Sequence, residues 1–233
     1  MTDSDLPEWL SKISVSPSVP VLSLLEKARP FLSKGETNLL QLKDTFPLTD
    51  EEYGVMMQSE TLGGLLKYAL NQGLSLEKIV KHLDWKSFEE LTSVILEEAG
   101  WNTITNFRFI PPRQKNKRLE LDVIAENTES RQILVIDCKR YKTPSQSPIR
   151  AAVEKQKERV RLLLNVIHEI HGTLPLQFPH WENFTLYPLI LTWRDHGIRF
   201  YKDTPIVNIS NFNNFLNSFN EYRELSFKIK QQF

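Results

Sequence analysis

Two apolar runs on either side of a short polar turn constrain this chain more than any other feature. Leu119–Glu126 and Gln132–Tyr141 are rich in Val, Ile and Leu, and Asn127–Ser130 between them is a turn sequence. Each run carries an aspartate where an apolar side chain is expected: Asp122 in Glu120-Leu-Asp122-Val-Ile, and Asp137 in Val135-Ile-Asp137-Cys-Lys139. Strand side chains alternate faces, so Asp137 and Lys139 share one face, and a hairpin brings Asp122 alongside. Two carboxylates and an ammonium in the most apolar stretch of the chain require a reason, because burying charge is costly unless it is paired or used.

The surroundings set the fold class. Before the two runs come a helix from Ser87 to Gly100 and a strand over Thr103–Ile110. The helix is expected to open on a Ser87-Phe-Glu-Glu90 capping box. After them, Ser147-Pro148 opens a long helix closed by Gly172. Thr185–Trp193 reads as a strand, followed by shorter strands at Ile198–Tyr201 and Ile206–Ile209 and a helix capped by Ser210. Upstream, Val21–Leu83 reads as helical, with Leu62, Leu65, Leu66, Ala69 and Leu70 on one stripe and a capping box at Thr49–Glu52. The expectation is an α/β fold: a helical N-terminal region over 1–85, for DNA or a partner, and an αβββαβ domain over 86–233.

Charge and cysteine content narrow the function classes. The net charge is zero, yet residues 1–85 carry −4 and residues 106–161 carry +7. The excess sits in Arg113-Gln-Lys115-Asn-Lys117-Arg118, in Lys139-Arg140-Tyr-Lys142, and in Lys155, Lys157, Arg159 and Arg161. Such an excess suits a polyanionic partner. One cysteine, Cys138, excludes an internal disulfide and a multi-cysteine zinc site. No run approaches the roughly 20 apolar residues of a membrane helix, and the acidic start lacks signal-peptide character. A cytoplasmic protein without a membrane partner is expected. His168 and His171 lack a completing ligand, and no Walker or dinucleotide loop is present.

The chemistry that fits the acids is that of a hard divalent ion, which prefers carboxylate, carbonyl and water ligands. Asp122, Asp137 and the Cys138 carbonyl form such a donor set, with Glu89 as a further ligand, direct or through water. Lys139 then orients a bound water or offsets phosphorane charge.

These residues, in this element order, resemble the PD-(D/E)XK nuclease superfamily, the restriction-endonuclease-like fold. Phe88-Glu89 at the start of a helix ending Glu98-Ala-Gly100-Trp101 looks most like Mrr-type restriction endonucleases and archaeal Holliday junction resolvases. The resemblance covers Ser87 to Ile209. It implies a Mg²⁺-dependent DNA endonuclease, with Mn²⁺ able to substitute. Asp122 and Asp137 become metal ligands, Lys139 the catalytic lysine and Glu89 the helix-one acid. Gln156 falls where several branches keep a polar active-site residue and is assigned to the nucleic-acid side. Arg113, Lys115, Lys117, Arg118, Arg140 and Lys142 are expected on the DNA backbone. The chain departs from the family in having Arg118-Leu-Glu-Leu-Asp122 where Mrr-type proteins have a Gly-rich approach. Two alternatives stay open: a junction-selective resolvase acting as a homodimer, and a non-catalytic DNA-binding or scaffold protein on the same fold.

Overall fold

The computed structural model describes residues 18–32, 38–111, 118–143, 145–170 and 174–232. The chain divides into two compact units, Met1–Leu74 and Ser75–Phe233. The division falls ahead of the boundary expected at 85/86.

The first unit is helical: α1 (Ser18–Leu32), α2 (Leu42–Thr45), α3 (Asp50–Ser59) and α4 (Leu62–Asn71). The Thr49 hydroxyl accepts the Glu52 N–H and the Glu52 carboxylate accepts the Thr49 N–H, the expected capping box. Glu52 also takes the Lys27 ammonium at 2.7 Å, which ties α1 to α3. Leu62, Leu65, Leu66 and Ala69 of the anticipated stripe are buried.

The second unit holds α5 (Leu76–His82), α6 (Trp85–Glu98), β1 (Asn102–Phe109), β2 (Leu119–Asn127), β3 (Gln132–Lys139), α7 (Gln146–Ile170) and β4 (Asn183–Thr192). It continues with β5 (Phe200–Tyr201), β6 (Thr204–Asn208), α8 (Phe212–Asn217), α9 (Phe219–Leu225) and β7 (Ile229–Gln232). From α6 to β4 the order is helix, three strands, helix, strand, so the α/β architecture and its αβββαβ order are present. The sheet runs β1-β2-β3-β4-β6-β5, with β7 paired to β4. The first three strands are antiparallel, and β3, β4 and β6 are mutually parallel. The C-terminal ends of β3, β4 and β6 and the start of β2 therefore meet at one end of the sheet.

Both sheet faces are covered, which explains why β2 and β3 read as continuous apolar runs. Leu121, Ile124, Ile133 and Val135 pack with Val160, Leu163 and Ile167 of α7. On the other face, the Thr92 hydroxyl of α6 meets the Cys138 thiol at 3.6 Å. Alternation slips near Asp122, since both Leu121 and Ile124 join the α7 cluster. Asn106, on neighbouring β1, has the left-handed φ of 54°.

Several boundaries differ from those read in the sequence. Helix α6 begins at Trp85, because Asp84 is its N-cap: its carboxylate accepts the Ser87 N–H at 2.9 Å and the Ser87 hydroxyl at 2.6 Å. The helix is thus capped one turn earlier than the expected Ser87–Glu90 box. Gly100, with φ of 82°, ends the helix as expected, and the Trp101 N–H returns to the Leu96 carbonyl. Helix α7 starts at Gln146, so Pro148 is its third residue rather than its first. Asn208, not Ser210, caps the turn before α8. Gly172 and His171 lie outside the described residues, as does the His168 side chain.

Candidate active site

The β2–β3 ladder runs from Asn127↔Gln132 to Val123↔Ile136 and stops one step short of the two aspartates. There the Asp122 carboxylate takes the Cys138 N–H at 2.8 Å in place of a ladder bond. Asp137 is 2% exposed, and its two oxygens are shared between two cations. The Lys139 ammonium lies 2.7 Å from Oδ2, and the Arg159 guanidinium of α7 donates to Oδ1 at 2.8 Å. Lys139 is also 3.9 Å from Asp122 and donates to the Cys138 carbonyl at 3.2 Å. The Lys139 ammonium stands 5.2 Å over the Trp85 ring at the start of α6.

Glu89 is 1% exposed, and neither of its carboxylate oxygens has a hydrogen-bond partner among the described residues. Burial, then the nearby Asp122 charge, pushes its pKa up to about 8, with the Trp85 indole and Lys139 offsetting only part. Asp122 is raised to about 6, by burial first and by Asp137 second, against the pull of Lys139 and the Cys138 N–H. Burial also drives the Cys138 thiol well above its ordinary range, which removes it as a nucleophile.

The structure therefore brings together Glu89, Asp122, Asp137, the Cys138 carbonyl and Lys139. Arg159, which the sequence offered only as part of a basic cluster, joins them. Nothing beyond membership of that cluster marked it in the sequence, since its partner Asp137 lies on another element. Gln156 itself requires a correction. It is fully buried and its amide donates to the Val135 carbonyl at 2.8 Å, so it braces β3 from inside and is out of reach of nucleic acid.

Do these residues suit a divalent ion? Among the described residues no three His, Cys, Asp or Glu groups are arranged to hold one as they stand. The hard-oxygen set of two carboxylates and one carbonyl fits such an ion in kind. The buried Glu89 carboxylate, which has the Trp85 indole beside it and no other close polar partner among the described residues, adds a further hard oxygen donor of the kind such an ion takes.

Basic residues flank the same sheet end. Arg118 is exposed just before β2, and Arg140 and Lys142 follow β3. Arg140 and Arg194 stand 4.3 Å and 4.7 Å from the Trp193 ring, at the end of β4. The Trp193 indole donates to the Tyr141 carbonyl and Arg194 to the Lys142 carbonyl, which fastens the segment after Lys139 to β4. Arg113, Lys115 and Lys117 lie outside the described residues. No helix among the described residues is long and apolar enough to cross a membrane.

No family model matches the chain, and no curated protein matches it significantly. Among solved structures, it is similar to the protein of unknown function AF1548, at 23% identity over 45% of this chain and 44% of that one, with a TM-score of 0.28. It is also similar to VC1899 from Vibrio cholerae, at 13% identity over 91% of this chain and 57% of that one, with a TM-score of 0.36. The matches span about half the length of those two structures.

Proposed function

We propose that the chain is a metal-dependent endonuclease that hydrolyses DNA phosphodiester bonds, with a site of the PD-(D/E)XK kind. One observation carries this reading: the two aspartates and the lysine, from two strands, meet at one sheet end, beside a buried Glu89 that lacks a partner. In this reading Asp122, Asp137 and the Cys138 carbonyl hold Mg²⁺ or Mn²⁺, with Glu89 in support. The bound ion supplies charge stabilisation and an acidified water. Lys139 is in reach of both aspartates and serves to orient the attacking water and to stabilise developing negative charge on the phosphate. Arg159 fixes one oxygen of Asp137 and leaves the other side toward Lys139. Arg118, Arg140 and Lys142 at the sheet end engage the DNA backbone.

A second reading has its own support. Both oxygens of Asp137 are already taken by Lys139 and Arg159, as in a closed structural ion pair, which suits a non-catalytic DNA-binding or scaffold protein. The Lys139→Ala variant separates the two. The nuclease reading expects cleavage to fall by at least 10²-fold with DNA affinity within about threefold. Equal loss of cleavage and binding would remove Lys139 from catalysis.

A further inference from the structure

Trp85 is the first residue of α6, directly after the Asp84 cap. It is 39% exposed, and with Ile110 and Leu225 it makes up the exposed large apolar side chains described in the second unit, the one aromatic among them. A single exposed apolar side chain is ordinary on a protein surface. Trp85 differs in what it touches. The Lys139 ammonium stands 5.2 Å over its ring, and its indole lies beside the buried Glu89 carboxylate. The ring is thereby held at the edge of the acids, by the same lysine that reaches both aspartates.

Trp193, at the end of β4, is already engaged. Its ring carries the Arg140 and Arg194 guanidiniums, and its indole donates to the Tyr141 carbonyl. Among the described residues the Trp85 ring meets one cation and no other aromatic ring, so it keeps aromatic surface open to solvent. Open aromatic surface next to cations is what single-stranded nucleic acid stacks on, and the contact tolerates any sequence because every base has a π-face. In a paired duplex each base face is covered by its neighbours, and a side chain reaches one only where the base has left the stack. A base is one sugar away from its own phosphate, a span comparable with the 5.2 Å from the Trp85 ring to the Lys139 ammonium. A phosphate held at Lys139 therefore has its base, once unstacked, within reach of the indole.

We propose that Trp85 stacks on an unpaired base next to the phosphate at Lys139, so that the protein favours DNA with an unpaired base over fully paired duplex. This names the substrate class of the site and rests on the nuclease reading for the position of the phosphate.

The test is DNA binding by the full chain in EDTA, so that cleavage plays no part. Three duplexes share one sequence: the first is fully paired, the second has one extra unpaired base, and the third has an abasic residue at that extra position. The base-bearing duplex is expected to bind about fivefold or more tightly than either of the others, and Trp85→Leu should bring the ratio close to one. With 5-iodouracil as the unpaired base, irradiation of the unaltered protein should attach it to Trp85, read by mass spectrometry of the peptides. The proposal is overturned if the base-bearing and abasic duplexes bind alike, if folded Trp85→Leu protein keeps the preference, or if iodouracil attaches only to other residues. Failure to bind any of the three duplexes overturns the DNA reading with it, whereas equal binding of all three overturns the stacking role alone and leaves the nuclease reading standing.

Discussion

Glu89 and Glu126 are both buried carboxylates in the second unit, and their surroundings differ in the one respect that bears on function. Glu126 takes the backbone N–H groups of Gln177 and Phe178 at 2.8 Å, which makes it a structural anchor for the loop before β4. Glu89 has no such partner. Its pKa, raised from 4.5 to about 8 by burial and then by Asp122, gives a pH dependence of known sign. Between those values the unfolded chain has lost the Glu89 proton and the folded chain still binds it, so stability falls as pH rises through that window. The metal-free protein should melt lower at pH 8 than at pH 5, and Glu89→Gln should remove much of that drop. A difference between variant and parent that is the same at both pH values would contradict the assignment. Glu89 was legible in the sequence as an acid near a helix start, but its burial beside Asp122, which sets it apart, follows only from packing.

At the scale of elements, two helices aim side chains at the ends of β2 and β3. Helix α6 places Glu89 and Trp85 through an N-cap three residues ahead of the one read in the sequence: the Asp84 carboxylate accepts the Ser87 N–H and hydroxyl, which makes Ser87 a donor inside the first turn. Asp84→Ala should destabilise the protein by about 1 kcal/mol, measured by denaturant unfolding; a value near zero would show that the cap does not set the start of α6. Helix α7 supplies Arg159, whose bond to Asp137 joins residues 22 positions apart in the chain. No local pattern encodes that pairing, since four other basic residues on α7, Arg150, Lys155, Lys157 and Arg161, had equal claim in the sequence. Arg159→Gln removes a charge-assisted bond to a buried carboxylate and should cost about 1–3 kcal/mol of stability. It should also slow cleavage more than it weakens DNA binding. Unchanged stability would mean that Asp137 does not depend on it. The strand order through β4 was readable because each run has its own period and turn. Strand β7 was not, because its pairing with β4 closes over more than forty residues of intervening chain.

Across the whole molecule, a net charge of zero hides a sheet end where Lys139, Arg140, Lys142, Arg118 and Arg194 gather around the acids. Most of this concentration is legible in the sequence, whereas the part played by Trp193 is not: its ring carries two guanidiniums and its indole donates to the Tyr141 carbonyl. If DNA crosses this end, replacing Arg140 and Lys142 by glutamine should reduce the slope of log affinity against log salt by about 2. An unchanged slope would place the DNA elsewhere. Whether the protein cuts DNA is decided by a cleavage assay. Supercoiled plasmid, linear duplex and a four-way junction are incubated with the full chain in Mg²⁺, Mn²⁺ or EDTA, beside Asp137→Ala protein. Cleavage of at least one substrate is expected with either metal, with none in EDTA and none by the variant, and the preferred substrate then separates an endonuclease of duplex DNA from a junction resolvase. DNA that is bound but left whole in every condition, or cut equally by Asp137→Ala, would contradict the nuclease reading.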